Sequence, residues 1–226
     1  MPNSNTFEWR NLTRESIIEH LKLLKKQIVN NSVTFDQLYI IISKHLKIVY
    51  PLLTVKQVKV SACPDTISIG GCYYPTSDQN GKKCIQLIFQ KNPINDTFVL
   101  TGKMFKCVMY LIADTIMHEI IHMYQYRKRK FLPLSHCKMY AVSNLIGKQQ
   151  QYYGQHDEMY AHAFNVLYEV LDKTRKELSE FNILNSKILN KSSTYRTYVE
   201  TFGTAHTILT ILKSKVLEHY RLTMKN

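Results

Sequence analysis

From Thr115 to Tyr124 the chain reads Thr-Ile-Met-His-Glu-Ile-Ile-His-Met-Tyr, with Glu119 as its one acidic side chain and no Lys or Arg. A helix over these residues suits a protein interior, where stray charges would be buried unpaired; a solvated helix would carry Lys or Glu at some of these places. Ile112, Ile116, Ile120 and Met123 recur at helical spacing and form the stripe that seats such a helix in a core. His118 and His122, one turn apart, stack on one helix face, close enough for one ion to take a nitrogen from each at ~2.0–2.1 Å. Glu119 then stands beside the ion, where it can take a proton from a metal-activated water and pass it to a leaving amine. His-Glu-x-x-His is in this way the minimal kit for a hydrolytic zinc site. The five letters alone occur by accident, and the uncharged flanks are what set this occurrence apart.

A catalytic zinc takes three protein ligands and keeps one position open, so a further His, Glu or Asp is expected after the motif. Two candidates stand almost together. Glu158 opens a helix and is followed by Ala161, small enough to let that helix approach another closely. His156, two residues earlier, can reach the same ion from the helix start. Each also has an ordinary explanation: an acidic residue in a first turn favours the helix dipole, and a His ahead of a helix is commonly exposed. Glu158 is preferred, with His156 kept open. Asp114, one turn before His118, is placed to hold the far nitrogen of a ligand ring. Tyr124, Tyr126, Tyr160 and His162 are candidate donors to a developing oxyanion, His162 and Tyr160 first.

The chain of 226 residues is 45% hydrophobic, enough for a proper core and against disorder. A formal charge of +13 with 15 Tyr admits an anionic partner such as nucleic acid. Only Arg127-Lys128-Arg129-Lys130 is a compact basic run, and it reads first as a solvated helix end whose cations complement the dipole. The Cys residues at 63, 72, 84, 107 and 137 are odd in number and include no Cys-x-x-Cys pair, which argues against a disulfide framework or a zinc ribbon and for a reducing compartment. The first ten residues lack the basic-then-apolar order of a secretory signal, and no stretch approaches 18 apolar residues. A cytoplasmic protein with no membrane association is expected, in a host cytoplasm if the chain is viral.

Helical spacing of Ile17, Ile18, Leu21, Leu24 and Ile28 predicts a first helix within residues 14–30. Thr34 and Gln37 have capping-box spacing and predict a second over 37–46, with Leu38, Ile41, Ile42 and Leu46 inward and Pro51 closing the pair. β-Branched and aromatic runs at 55–60, 66–74 and 84–89, separated by Pro64, by residues 75–78 and by Asn80-Gly81, predict a small antiparallel sheet. Gly70-Gly71 predicts a bulge or a close approach of another backbone, and Cys84–Gln90 is the candidate edge strand for an extended substrate. A long helix is expected over 103–129, then a looser connection with Pro133 and Gly147 to residue 153, then a helix over 156–174 with Met159, Ala163, Val166, Leu167 and Val170 inward. Further helices are expected near 175–190 and 205–222, with a flexible Asn- and Ser-rich joint at 182–193. The fold class is α+β within a single domain over 1–226: an N-terminal helical pair (1–50), a core (55–172) and C-terminal helices (173–226).

Thr115–Tyr124 resembles the extended signature of the zincin metallopeptidases, and Glu158-Met159-Tyr160-Ala161-His162 is similar to the Glu-x-x-Ala helix of gluzincin-type members. The phrase from His156 to Phe164 resembles peptidases of phages and large viruses. The resemblance spans roughly residues 55–172. It implies a small sheet packed on the motif helix and a second ligand helix, Zn2+ as cofactor, hydrolysis of peptide bonds in a protein or peptide substrate, His118, His122 and Glu158 as ligands, and Glu119 as base. A second resemblance is to the SprT-like family, in which a third His precedes a helix. His156, with Tyr160 and Phe164 following at four-residue steps, matches that pattern, although Asp157 stands where the family usually has Gly. That family cuts proteins bound to DNA. The remaining expectation is a nonenzymatic nucleic-acid-binding protein with a structural metal, closed by four protein ligands instead of three.

Overall fold

Side-chain caps set the first helical boundaries. Thr13 and Ser16 form a reciprocal capping box that starts α1 (Arg14–Lys22), and after a break at Leu23 and Leu24 one further turn follows, α2 (Lys25–Ile28). Thr34 and Gln37 form the expected box, with Gln37 N donating to Thr34 Oγ1 (3.0 Å) and Thr34 N to Gln37 Oε1 (2.8 Å), and start α3 (Phe35–Val49). The computed structural model describes residues 12–50, 53–59, 68–91, 97–132, 145–174 and 178–224. Pro51, Pro64, Pro133, Cys63, Cys137 and the first eleven residues, all used above, lie outside them.

In chain order the remaining elements are β1 (Ser32–Thr34), which precedes α3, then β2 (Leu53–Lys59), β3 (Ser68–Tyr73), α4 (Pro75–Gln79), β4 (Ile85–Lys91), β5 (Thr97–Val99), α5 (Gly102–Lys128), α6 (Lys148–Tyr153), α7 (His156–Thr174), α8 (Glu180–Ile183), α9 (Ser186–Leu189), α10 (Ser193–Phe202) and α11 (Thr207–Thr223). The class is α+β, as expected. By its contacts the chain divides into two compact units, Met1–Tyr124 and Gln125–Asn226, and the division falls inside the continuous helix α5.

In the first unit the sheet order is β2-β4-β3. The expectation of an antiparallel sheet is corrected: β3 pairs antiparallel with β4, but β2 pairs parallel with it, Leu53 opposite Ile85 through Lys59 opposite Lys91. The reason is topological. The third strand inserts between the first two, so it runs back along β3 and therefore alongside β2. β4 is then central, and Cys84–Gln90 cannot be an edge for substrate; among the described residues the edges are β2 and β3. Strand alternation puts Leu53, Val55, Ile69, Tyr73, Ile85, Leu87 and Phe89 on the buried face. Phe35 and Tyr39 of α3 meet Phe89 edge-on at 6.4 and 5.8 Å, and Tyr39 Oη donates to Val55 O (3.1 Å). Ile112, Ile116, Ile120 and Met123 of α5 are at most 1% exposed, as their spacing predicts. The short antiparallel pair β1-β5, Ser32 opposite Val99, was not legible, because three residues carry too little pattern.

In the second unit α7 has the expected bounds, and its inward side chains pack with Tyr195, Tyr198, Leu212 and Val216 of α10 and α11 in one cluster. Of the helix expected near 175–190, residues 175–177 lie outside the described ones, and 178–190 hold two single turns instead. Ser179, Asn185 and Ser192 each accept a backbone N–H and start α8, α9 and α10, so the Asn- and Ser-rich stretch interrupts one helix by capping several. The looser connection before α7 contains α6. Cys72, Cys84 and Cys107 form no disulfide. No helix among the described residues is long and apolar enough to cross a membrane.

Candidate metal centre

Helix α5 delivers the motif as its spacing requires. His118, Glu119 and His122 are 8, 7 and 9% exposed, three polar side chains on a buried helix. The two rings stand edge to face, and their Nε2 atoms face each other at 3.1 Å. Two nitrogens sharing one tetrahedral ion at 2.0–2.1 Å stand ~3.4 Å apart, so the pair needs almost no movement to receive one. Glu158 completes the group: one ligand atom from each of His118, His122 and Glu158 lies within 4.8 Å of the others. The same tetrahedral spacing of ~3.4 Å applies to the carboxylate oxygen, so the widest separation closes by up to about 1.4 Å when an ion is bound, a movement that rotation of the Glu158 side chain can supply. Two imidazoles and a carboxylate fit a divalent transition metal and do not single out zinc. His156 is not part of the group.

Within the second unit the start of α7 is tied to the last turns of α5. Gln125 Nε2 donates to Asp157 O (3.1 Å), and Arg129 Nη1 donates to Asp157 Oδ2 (2.5 Å), the two side chains being 14 and 16% exposed. The basic run is therefore not uniformly a solvated helix end. Arg127, Lys128 and Lys130 are exposed, but Arg129 turns inward and lies over the Tyr126 ring at 4.4 Å. Nothing local marks Arg129 among its neighbours; its carboxylate partner lies 28 residues away.

Glu119 is enclosed by a strand. A Cβ placed on Gly71 of β3 would stand 2.5 Å from Glu119 Oε1, 2.7 Å from its Cγ and 2.8 Å from Thr115 Cγ2, whereas one on Gly70 would meet nothing within 4 Å. The ladder runs without interruption through both glycines, so there is no bulge, and the close approach is to a side chain of α5. Thr115 cannot turn away cheaply, since its Oγ1 donates to Leu111 O (2.7 Å). Gly71→Ala should therefore displace the Glu119 carboxylate at a cost of about 1–3 kcal/mol of stability, while Gly70→Ala leaves it in place. Thermal unfolding of the two variants and their metal content test this: lower stability with unchanged metal is expected for Gly71→Ala alone. Tyr74, which the sequence did not single out, lies at the end of this strand. Its phenol donates to Gln86 Oε1 (3.1 Å) and is pushed above its ordinary pKa range, first by a hydrogen bond with Cys72, then by burial and nearby charge that includes Glu119.

The other candidates fall as follows. Asp114 receives Arg14 of α1, Nε to Oδ1 at 2.5 Å and Nη2 to Oδ2 at 3.5 Å, with Arg14 4% exposed. His162, one turn beyond Glu158, shares a hydrogen bond with Tyr198 Oη through Nδ1 (3.1 Å). Tyr198 gives its own hydrogen to Tyr153 O (3.0 Å), so the hydrogen between the side chains sits on His162 Nδ1. Burial, then the charge of Glu158, raises the Tyr198 phenol well above its ordinary range. Tyr160 lies about 200° around α7 from Glu158. Its ring packs on His219 of α11 at 4.2 Å, and its carbonyl accepts from His219 Nε2 (2.9 Å).

No family model, characterised protein or solved structure matches this chain.

Proposed function

We propose that the protein is a zinc-dependent metallopeptidase with His118, His122 and Glu158 as ligands and Glu119 as general base. The observation that carries this is the convergence of two buried imidazoles, Nε2 to Nε2 at 3.1 Å, with a carboxylate from a second helix, beside a further buried carboxylate that is not in the ligand group. A bound zinc ion would supply Lewis acidity to a substrate carbonyl and lower the pKa of water to about 7. Glu119 takes the proton of the attacking water and returns it to the departing nitrogen, which one carboxylate can do when both atoms lie within hydrogen-bond reach. His162 is the donor candidate on α7 that lies one turn from Glu158. With Nδ1 engaged by Tyr198, it donates from Nε2 only as the imidazolium. The substrate is a protein or peptide, and the β3 edge beside Gly71 can receive an extended chain by main-chain pairing.

The test is metal analysis of the purified protein, followed by digestion of a peptide library with and without chelator. Zinc at about one per chain, with cleavage that chelation abolishes and Zn2+ restores, is the expected result. Bound metal without cleavage of any peptide, together with retention on DNA, would move the protein to the nonenzymatic class that its charge of +13 admits.

A further inference from the structure

We propose that Arg129 is a positioning residue for the metal centre, presenting Glu158 as the third ligand through its clamp on Asp157. The proposal rests on the metal-centre reading above and adds a requirement to it. Glu158 is in the first turn of α7, where the helix's own hydrogen bonds restrain the backbone least. The residue before it is held twice from the end of α5: Gln125 Nε2 takes the Asp157 carbonyl (3.1 Å), and Arg129 Nη1 takes the Asp157 carboxylate (2.5 Å). The guanidinium is also held from one side, since it lies over the Tyr126 ring at 4.4 Å, three residues back on the same segment. A planar fork stacked on a ring has a set direction that an ammonium on a flexible stem lacks, so Lys at this position keeps the charge and loses the aim. Asp157 and Glu158 are successive residues about 100° apart around α7. Holding the first by both its carbonyl and its carboxylate fixes the rotation of that turn and with it the direction in which the second projects. The motif histidines need no such aid, since they sit well inside a 27-residue helix.

Zn2+ affinity, measured by chelator competition, and the absorption spectrum of the Co2+-loaded protein test this in Arg129→Met, Arg129→Lys, Asp157→Asn and the double variant Arg129→Met/Asp157→Asn. The expected result is a loss of affinity of about 10–100-fold in Arg129→Met and Asp157→Asn, as for supports behind metal ligands, with a shifted Co2+ spectrum. Arg129→Lys should recover little, and the double variant should lose no more than the worse single change, since both remove one interaction. Wild-type Zn2+ affinity and an unchanged Co2+ spectrum in Arg129→Met, with only a lower unfolding temperature of the metal-free protein, would overturn the proposal and leave a structural ion pair. If Arg129→Met does not fold, Arg129→Lys and Asp157→Asn give the same decision. His122→Ala is the control: wild-type Zn2+ affinity there would mean that the metal-centre reading has failed, and not the clamp alone.

Discussion

His118→Ala and His122→Ala are each expected to leave the purified protein almost without metal, because either change reduces a group of three ligands to two, and two protein ligands rarely hold the ion. The group consists of His118, His122 and Glu158, so Glu158→Ala should deplete metal as the histidine variants do. His156→Ala should keep most of it. Elemental analysis of the four variants after dialysis against a weak chelator checks this. Metal retained in Glu158→Ala and lost in His156→Ala would transfer the third position to His156 and favour the SprT-like alternative. Retention in all four would reduce the motif to an accident of a buried helix. The histidine variants also bear on stability. Without metal the rings at 3.1 Å can share one hydrogen, and removing one of them takes that contact from the other, which is 8 or 9% exposed.

Glu119→Gln is expected to separate binding from chemistry. The amide is nearly isosteric with the carboxylate, so it fits the space that Gly71 leaves beside Thr115, and both imidazoles are untouched. Metal content should stay at the wild-type level. Hydrolysis should fall by about 10²–10⁴-fold, the contribution of a positioned general base, because an amide cannot take the proton. Turnover of a peptide found in the library digest, measured at matched metal content, reads this directly. Loss of metal from Glu119→Gln would assign Glu119 to the ligand set, whereas unchanged turnover would remove it from the mechanism. Gly71→Ala is a companion to this variant. It leaves the carboxylate chemically intact and moves it, and displacement of a catalytic group by about 1 Å can cost on the order of 100-fold in rate.

What could be read from the chain was local in origin. The capping box at Thr34 and Gln37, the inward stripe of α5, the bounds of α7 and the pairing of His118 with His122 all follow from contacts between residues three or four apart, and helical periodicity records those faithfully. Glu158 was legible as a candidate on the same basis, from its place in the first turn of a helix. Tertiary structure decided the rest. Whether Glu158 or His156 joins the histidines is a matter of how α7 is rotated, since two positions differ by about 200° around a helix, and that rotation depends on packing and on the hold of Arg129 and Gln125 on Asp157. Strand alternation marks which side chains of β4 face inward but says nothing of its neighbours, so its central place and its parallel pairing with β2 came from topology. Gly71 announced a close approach without naming its partner, Glu119, which lies 48 positions further along and is brought there by the packing of α5 against the buried face of β3. Arg129 looked like its exposed neighbours because burial of a charge depends on a partner, and the partner is distant in sequence. Local geometry wrote the elements and the two histidines into the sequence; the approach of Glu158 to them, the strand against Glu119 and the hold of Arg129 on Asp157 depend on contacts between distant residues, which no local pattern encodes.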